Sequence, residues 1–174
     1  MPKLYSVNGK TPVIHPTAWV ADDVVLTGDI EIGAHCSIWF GVVIRGDVNR
    51  ILIGENVNIQ DLTMVHGTNG RSDTILGNNV SVGHRAIIHG CQIADNVLIG
   101  MGAIVLDDVI VPSQTIIAAG AVVTSGTKIE PGNIYAGTPA RPLKELDEAK
   151  AQVYIQGTCA AYKEYKEWYR GDIK

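Results

Sequence analysis

An aliphatic residue returns at every sixth position along most of this chain, from Ile14 to Ile129. Ile14, Val20, Leu26, Ile32, Ile38 and Ile44 form one unbroken series. Ile53, Ile59 and Val65 form a second, and Leu76, Val82 and Ile88 a third. Ile93, Ile99, Val105, Val111, Ile117, Val123 and Ile129 complete the set. An amphipathic helix repeats at about 3.6 residues and a half-buried strand at about 2, so neither explains the pattern. A hexapeptide repeat does, and it marks a β-helix. Three hexads close one triangular coil, each contributing a short strand to one of three flat sheets. The period alone leaves the handedness of the coil open.

The ruler is interrupted three times. Ile44 to Ile53 gains three residues around Val48 to Arg50, and Val65 to Leu76 gains five within GTNGRSDT, Gly67 to Thr74. The Gly, Asn, Ser and Asp content makes that second insert a projecting loop. Between Ile88 and Ile93 one residue is lost. All three irregularities flank histidines, and breaks in a repeat are where function tends to be inserted.

At 174 residues the chain has room for one domain with a full core. The hexads predict a solenoid over residues 1–140. Residues 141–174 read as an exit turn with Pro142, then a helix from about Asp147, its N-cap, packed on the solenoid or on a neighbouring subunit. A formal net charge of −4 with no basic run argues against nucleic-acid binding. No signal-peptide core and no apolar stretch of membrane-spanning length is visible, so a cytoplasmic location without membrane attachment is expected. Cys36, Cys91 and Cys159 are an odd, scattered set and read as buried or half-buried thiols.

On the ruler Ile44, Val65 and Ile88 are three hexads apart and share one side of the prism. The residues that follow them, Arg45, His66 and His89, should stack as a ladder at about 4.8 Å per coil. Two imidazoles so spaced can bind one zinc at about 2.0–2.1 Å each. His84 sits two positions after Val82, which belongs to another side, where Ile59 and Gln60 lie one coil earlier. A histidine around a corner cannot readily meet its own chain's pair, but it can meet a neighbour's. The spacing thus predicts a cyclic homotrimer whose sites take Arg45, His66 and His89 from one chain and Gln60 and His84 from the next. Three imidazoles leave zinc one open position, as in catalytic sites. His15 and His35 lie off the ladder and read as ordinary surface or core residues without a ligand role.

The segments VIRGDVNRILIGENVNIQD, MVHG, VGHRAIIHGC, VLIGMGAIVLDD and IYAGTPARPL resemble the γ-class carbonic anhydrase family in its short-loop bacterial form. The resemblance runs from about Thr11 to Arg141. It implies a mainly β fold, a left-handed parallel β-helix of hexapeptide repeats with a C-terminal α-helix. It also implies a homotrimer with Zn2+, or Fe2+ or Co2+, at subunit interfaces. The implied activity is that of a lyase: reversible hydration of carbon dioxide to bicarbonate by zinc-bound hydroxide. Carried over by position, His66, His84 and His89 match the metal ligands. Gln60 matches a residue that hydrogen-bonds the metal's water, with Asn58 nearby. Arg45 and Asp47 match an ion pair near the site, and Tyr162 an active-site tyrosine.

Two departures stand out. The family's well-characterised members have a glutamate after the Asp47 position and a long acidic loop after the first ligand. Here Val48 follows Asp47, and the loop holds only Asp73. These departures point to weak proton export or to another group handling it. Two alternatives stay open: a CoA-dependent acyltransferase on the same solenoid, and a metal-binding trimer without hydration activity.

Overall fold

The computed structural model, which describes residues 1–172, coils as a parallel β-helix with three flat faces. The first face stacks Trp19–Val20, Ser37–Ile38, Asn58–Ile59, Ser81–Val82, Val97–Ile99, Thr115–Ile117 and Asn133–Ala136 in parallel register. The second stacks the leading halves of Val25–Ile32 and Val43–Ile53 with Met64–His66, Ile87–His89, Ile104–Val105 and Val122–Val123. Lys3–Tyr5 adds a strand at its upper edge. The third stacks Val13–Ile14, the trailing halves of the two long strands, Thr74–Leu76, Gln92–Ile93 and Ile110–Val111.

The six-residue ruler is the inward row of these strands. Every ruler residue from Leu26 to Val123 is buried, while Ile14, Val20 and Ile129 at the ends are partly covered. Strand side chains alternate across the sheet, so a second inward row falls two places before each ruler position. That row includes Val24, Ile30, Val42, Ile51, Val57, Val80 and Val109, all buried. Cys36 and Cys91 belong to it, fully enclosed, and burial pushes their thiols up to about 11 and about 12. Inside the prism, Cys91 is a core residue and not a ligand.

The corners turn through the left-handed region. One stack uses Asn56, Asn79 and Asn96, a residue type that tolerates positive φ. The corner after the first face uses Gly41, Gly102 and Gly120, but also Leu62 and Arg85, with φ of 61° and 60°. For these two the conformation costs about 1–2 kcal/mol each. Asp61 and His84 immediately precede them.

Where a turn was expected, Arg141–Glu145 instead folds back as an antiparallel strand on Asn133–Ala136. Pro142 and Lys144 on this exposed strand discourage further pairing. Asp147 then caps the helix, its Oδ1 accepting the Lys150 N–H at 2.8 Å. The helix starts at Glu148, widens into a π-turn over Gln152–Gln156, and continues as α-helix over Gly157–Asp172. It lies along the first face of its own chain, running back towards the first coil. Lys166 donates to the His35 carbonyl at 2.7 Å and Arg170 to that of Thr17 at 2.6 Å. Trp19, Trp39 and Phe40 of the solenoid interlock with Tyr162 and Tyr169 of the helix, with contacting ring centroids 4.9–6.3 Å apart. Among the described residues, no helix is long and apolar enough to cross a membrane.

Candidate metal centre

The strand register brings Ile44 opposite Val65, Val65 opposite Ile88, and His66 opposite His89. Arg45, His66 and His89 are therefore successive outward rungs of the second face. The two imidazole centroids are 5.3 Å apart and their planes tilt by 68°. Arg45 Nη2 and Asp47 Oδ1 both lie 3.1 Å from His66 Nε2, and Arg45 and Asp47 pair at 3.3 Å. One nitrogen cannot accept from the guanidinium and donate to the carboxylate at once, so its proton decides which contact is made.

His89 is held from the next coil. Its Nδ1 is 3.0 Å from Asp107 Oδ2, while Asp107 Oδ1 accepts the Thr68 N–H at 3.3 Å. Burial raises the Asp107 carboxyl, but hydrogen bonding and charge from His89, with help from Thr68, bring it below its ordinary value. Gly90 makes this approach possible: with φ of +56°, it sits where a Cβ would strike the Asp107 carboxylate. The residue missing from the ruler after Ile88 is thus matched by a carboxylate tucked against the gap.

His84 stands on the corner after the first face, among different partners. Its Nδ1 is 2.8 Å from Asp61 Oδ2 and its Nε2 is 3.2 Å from the Tyr162 hydroxyl. Burial first, then the charge of Asp61, pushes the Tyr162 phenol up to about 12, so it remains a neutral donor at ordinary pH. Gln60 beside it is buried, and its Nε2 donates to Asn58 Oδ1 at 3.0 Å. Asn58 Nδ2 donates in turn to Ser81 Oγ at 2.7 Å, and Ser81 contacts Cys159 of the helix at 3.2 Å. With one of its two amide N–H groups given to Asn58, Gln60 keeps its carbonyl oxygen and a second N–H for other partners.

One chain therefore carries two separate clusters: Arg45, Asp47, His66 and His89 on the second face, and Asp61, His84 and Tyr162 at the corner. Among the described residues, no three His, Cys, Asp or Glu side chains are grouped to hold a metal ion. The donor chemistry of each cluster nevertheless suits one. A carboxylate on Nδ1 of His84 and of His89 leaves Nε2 of each as the ligating atom, the outer-shell arrangement that accompanies metal-binding histidines. Imidazole donors suit zinc, iron and cobalt.

Asp61 and Asp107 do not follow from the histidine spacing alone. Asp61 was nevertheless within reach, because the register Ile59 opposite Val82 continues to Asp61 opposite His84. The residue beneath His84 is thus Asp61, one place beyond Gln60.

Residues 11–46 match a family described as bacterial transferase hexapeptide (six repeats). The mitochondrial γ carbonic anhydrase 2 of Arabidopsis thaliana is 40% identical over 164 residues, covering 91% of this chain. The chain spans 59% of that relative's length. The carnitine operon protein CaiE of Escherichia coli (strain K12) is 38% identical over 144 residues, covering 83% of this chain and 73% of that protein. Among solved structures, the BC4754 gene product of Bacillus cereus, provisionally named an acetyltransferase, superposes with a TM-score of 0.94 at 37% identity. That match covers 98% of both chains. A hexapeptide transferase family protein of Anaplasma phagocytophilum superposes with a TM-score of 0.91 at 36% identity, covering 96% of this chain and 98% of that one.

Proposed function

We propose that this chain, which belongs to the γ-class carbonic anhydrase family, catalyses the reversible hydration of carbon dioxide at metal sites shared between the subunits of a homotrimer. The observation that carries the reading is the pairing of His66 with His89 on one face, with His84 turned to another. His66 and His89 of one subunit, with His84 of a neighbour, would hold the ion. When bound, zinc, or iron or cobalt in its place, supplies a nucleophile for carbon dioxide at neutral pH by acidifying water.

The remaining work falls to this chain's own residues. Asp107 and Asp61 hold the Nδ1 protons of His89 and His84 and so place the lone pair of each ring on Nε2. Gln60, fixed through Asn58, offers its carbonyl oxygen to orient the attacking water. Arg45 and Asp47, paired with each other beside His66 Nε2, would set the orientation of its ring. Assembly is supported by an outward apolar row beside the histidines: Val25, Val43, Met64, Ile87, Ile104 and Val122 stand in register on consecutive coils. At the His84 corner, Leu62 and Met101 are 63% and 58% exposed. Leu62 holds a strained backbone with little burial in its own chain to offset it, which suits an interface residue.

Protein purified without oxygen should contain one metal ion per chain and hydrate carbon dioxide, and His89→Ala should lose both properties. Full metal content and activity in His89→Ala would refute the assignment. Metal retention without hydration across a broad pH range would favour a binding role. The names of two solved structures, an acetyltransferase and a hexapeptide transferase family protein, favour a second reading, transfer from a CoA thioester. That chemistry needs a single histidine as general base and gives no reason for paired rungs. Acetyl transfer by metal-stripped protein would support it.

A further inference from the structure

The three breaks in the repeat are joined by one hydrogen-bonded assembly. Asn49, in the first insert, donates to the carbonyls of Thr68 and Ser72 and accepts the Gly70 N–H, so it spans the loop of the second. Ser72 Oγ donates to the Gly90 carbonyl at 2.6 Å, at the deletion. Thr74 Oγ1 donates to the His66 carbonyl at 2.8 Å and accepts the Gly90 N–H at 3.1 Å. The next coil closes the assembly: Asp108 holds Arg71 at 2.6 Å, and Asp107 holds both Thr68 and His89.

We propose that Asp107 is a positioning residue through which the Gly67–Thr74 loop and His89 are set together, so that loading a divalent transition-metal ion at His89 also orders the loop. The inference rests on the reading of His89 as a metal ligand. One carboxylate oxygen accepts the imidazole proton, which keeps it on Nδ1 and leaves Nε2 able to ligate. The other accepts the backbone N–H at the start of the loop. An ion pulling on Nε2 acidifies the Nδ1 proton and strengthens its bond to Asp107, which fixes the carboxylate and with it Thr68. Asp107 is 8% exposed, so water is a poor substitute for either partner.

The test uses the full chain, with and without zinc. Asp107→Asn keeps the size and an acceptor for Thr68 but turns an N–H donor towards His89 Nδ1. Its expected effects are a 10–100-fold loss of zinc affinity in chelator competition and a move of the His89 proton to Nε2 in nitrogen NMR of the metal-free protein. Gly90→Ala pushes the whole carboxylate away. It should give the same two changes and also faster tryptic cleavage after Arg71. In the unaltered protein, zinc should slow that cleavage several-fold. Unchanged zinc affinity in Asp107→Asn, or cleavage indifferent to zinc, would overturn the coupling. Failure of the unaltered protein to bind zinc would instead sink the metal site itself, while the NMR comparison would still report on the Asp107–His89 contact.

Discussion

The Tyr162 hydroxyl lies 3.2 Å from Nε2 of His84, the one ring nitrogen that Asp61 leaves free. In the isolated chain, the helix thus covers the lone pair that the proposed site needs. Tyr162→Phe should lower the stability of the metal-free protein by about 0.5–1.5 kcal/mol, one hydrogen bond's worth. Zinc should then bind more tightly, because no hydroxyl competes with it. Urea unfolding and chelator competition check the two halves, and a fall in affinity would show that Tyr162 assists the ion instead.

Division of the site between faces gives a complementation test. Chains carrying His84→Ala and chains carrying His66→Ala should each be inactive alone. Refolded together in equal amounts, they should regain about a quarter of the unaltered activity, since each site draws its two halves from adjacent chains. No recovery from mixed trimers of verified composition would place all three ligands in one chain.

Ile87 and Ile88 face opposite ways, 36% and 0% exposed. Ile88→Ala should cost about 2–5 kcal/mol through the cavity it leaves. Ile87→Ala should change the stability of a dissociated chain by less than about 0.5 kcal/mol while weakening self-association. Denaturation and sedimentation of both variants separate the effects.

Proton export should limit turnover. The loop's one carboxylate, Asp73, accepts the Arg50 N–H at 3.2 Å and is committed to the fold. Hydration should therefore speed up as buffer concentration rises. Val48→Glu should raise the rate several-fold in dilute buffer and little in concentrated buffer. Equal gains in both would point to an effect on the site rather than on proton removal.

Cys36 carries an alkaline signature. Burial, partly countered by hydrogen bonding with the Val57 backbone, moves its thiol from 9.0 to about 11. A group whose folded value is raised stabilises the fold fully below its unfolded value and loses that contribution as pH rises through the folded one. Stability should accordingly fall between pH 9.0 and about 11. Cys36→Ala should flatten that decline in urea unfolding measured across the same range.

How far the residues spoke for themselves depended on how local each contact was. The ruler sufficed to pair Ile44, Val65 and Ile88, because a parallel coil lets register follow from counting. The same counting reaches Asp61 under His84 once it is carried one residue further. Asn49 is different: its three bonds depend on the path of a loop that no periodicity describes. Tyr162 lies beyond the π-turn at Gln152–Gln156, where an extra residue per turn shifts the helical phase and defeats a wheel drawn from the N-cap. The strand Arg141–Glu145 gave no alternating signal, since all five of its residues are exposed.

The separation of His66 from His89 is one coil rise, set by backbone hydrogen bonds that repeat along the whole prism. It is a gauge block rather than an adjustable jaw. A lineage built on this solenoid cannot widen or narrow the bite for a different ion by drifting its main chain, because every coil would have to move together. Adaptation is left to rotamers and to the groups that grip the far side of each imidazole. In such proteins the history of metal preference should be written in residues like Asp107 and Asp61 more than in the ligands themselves.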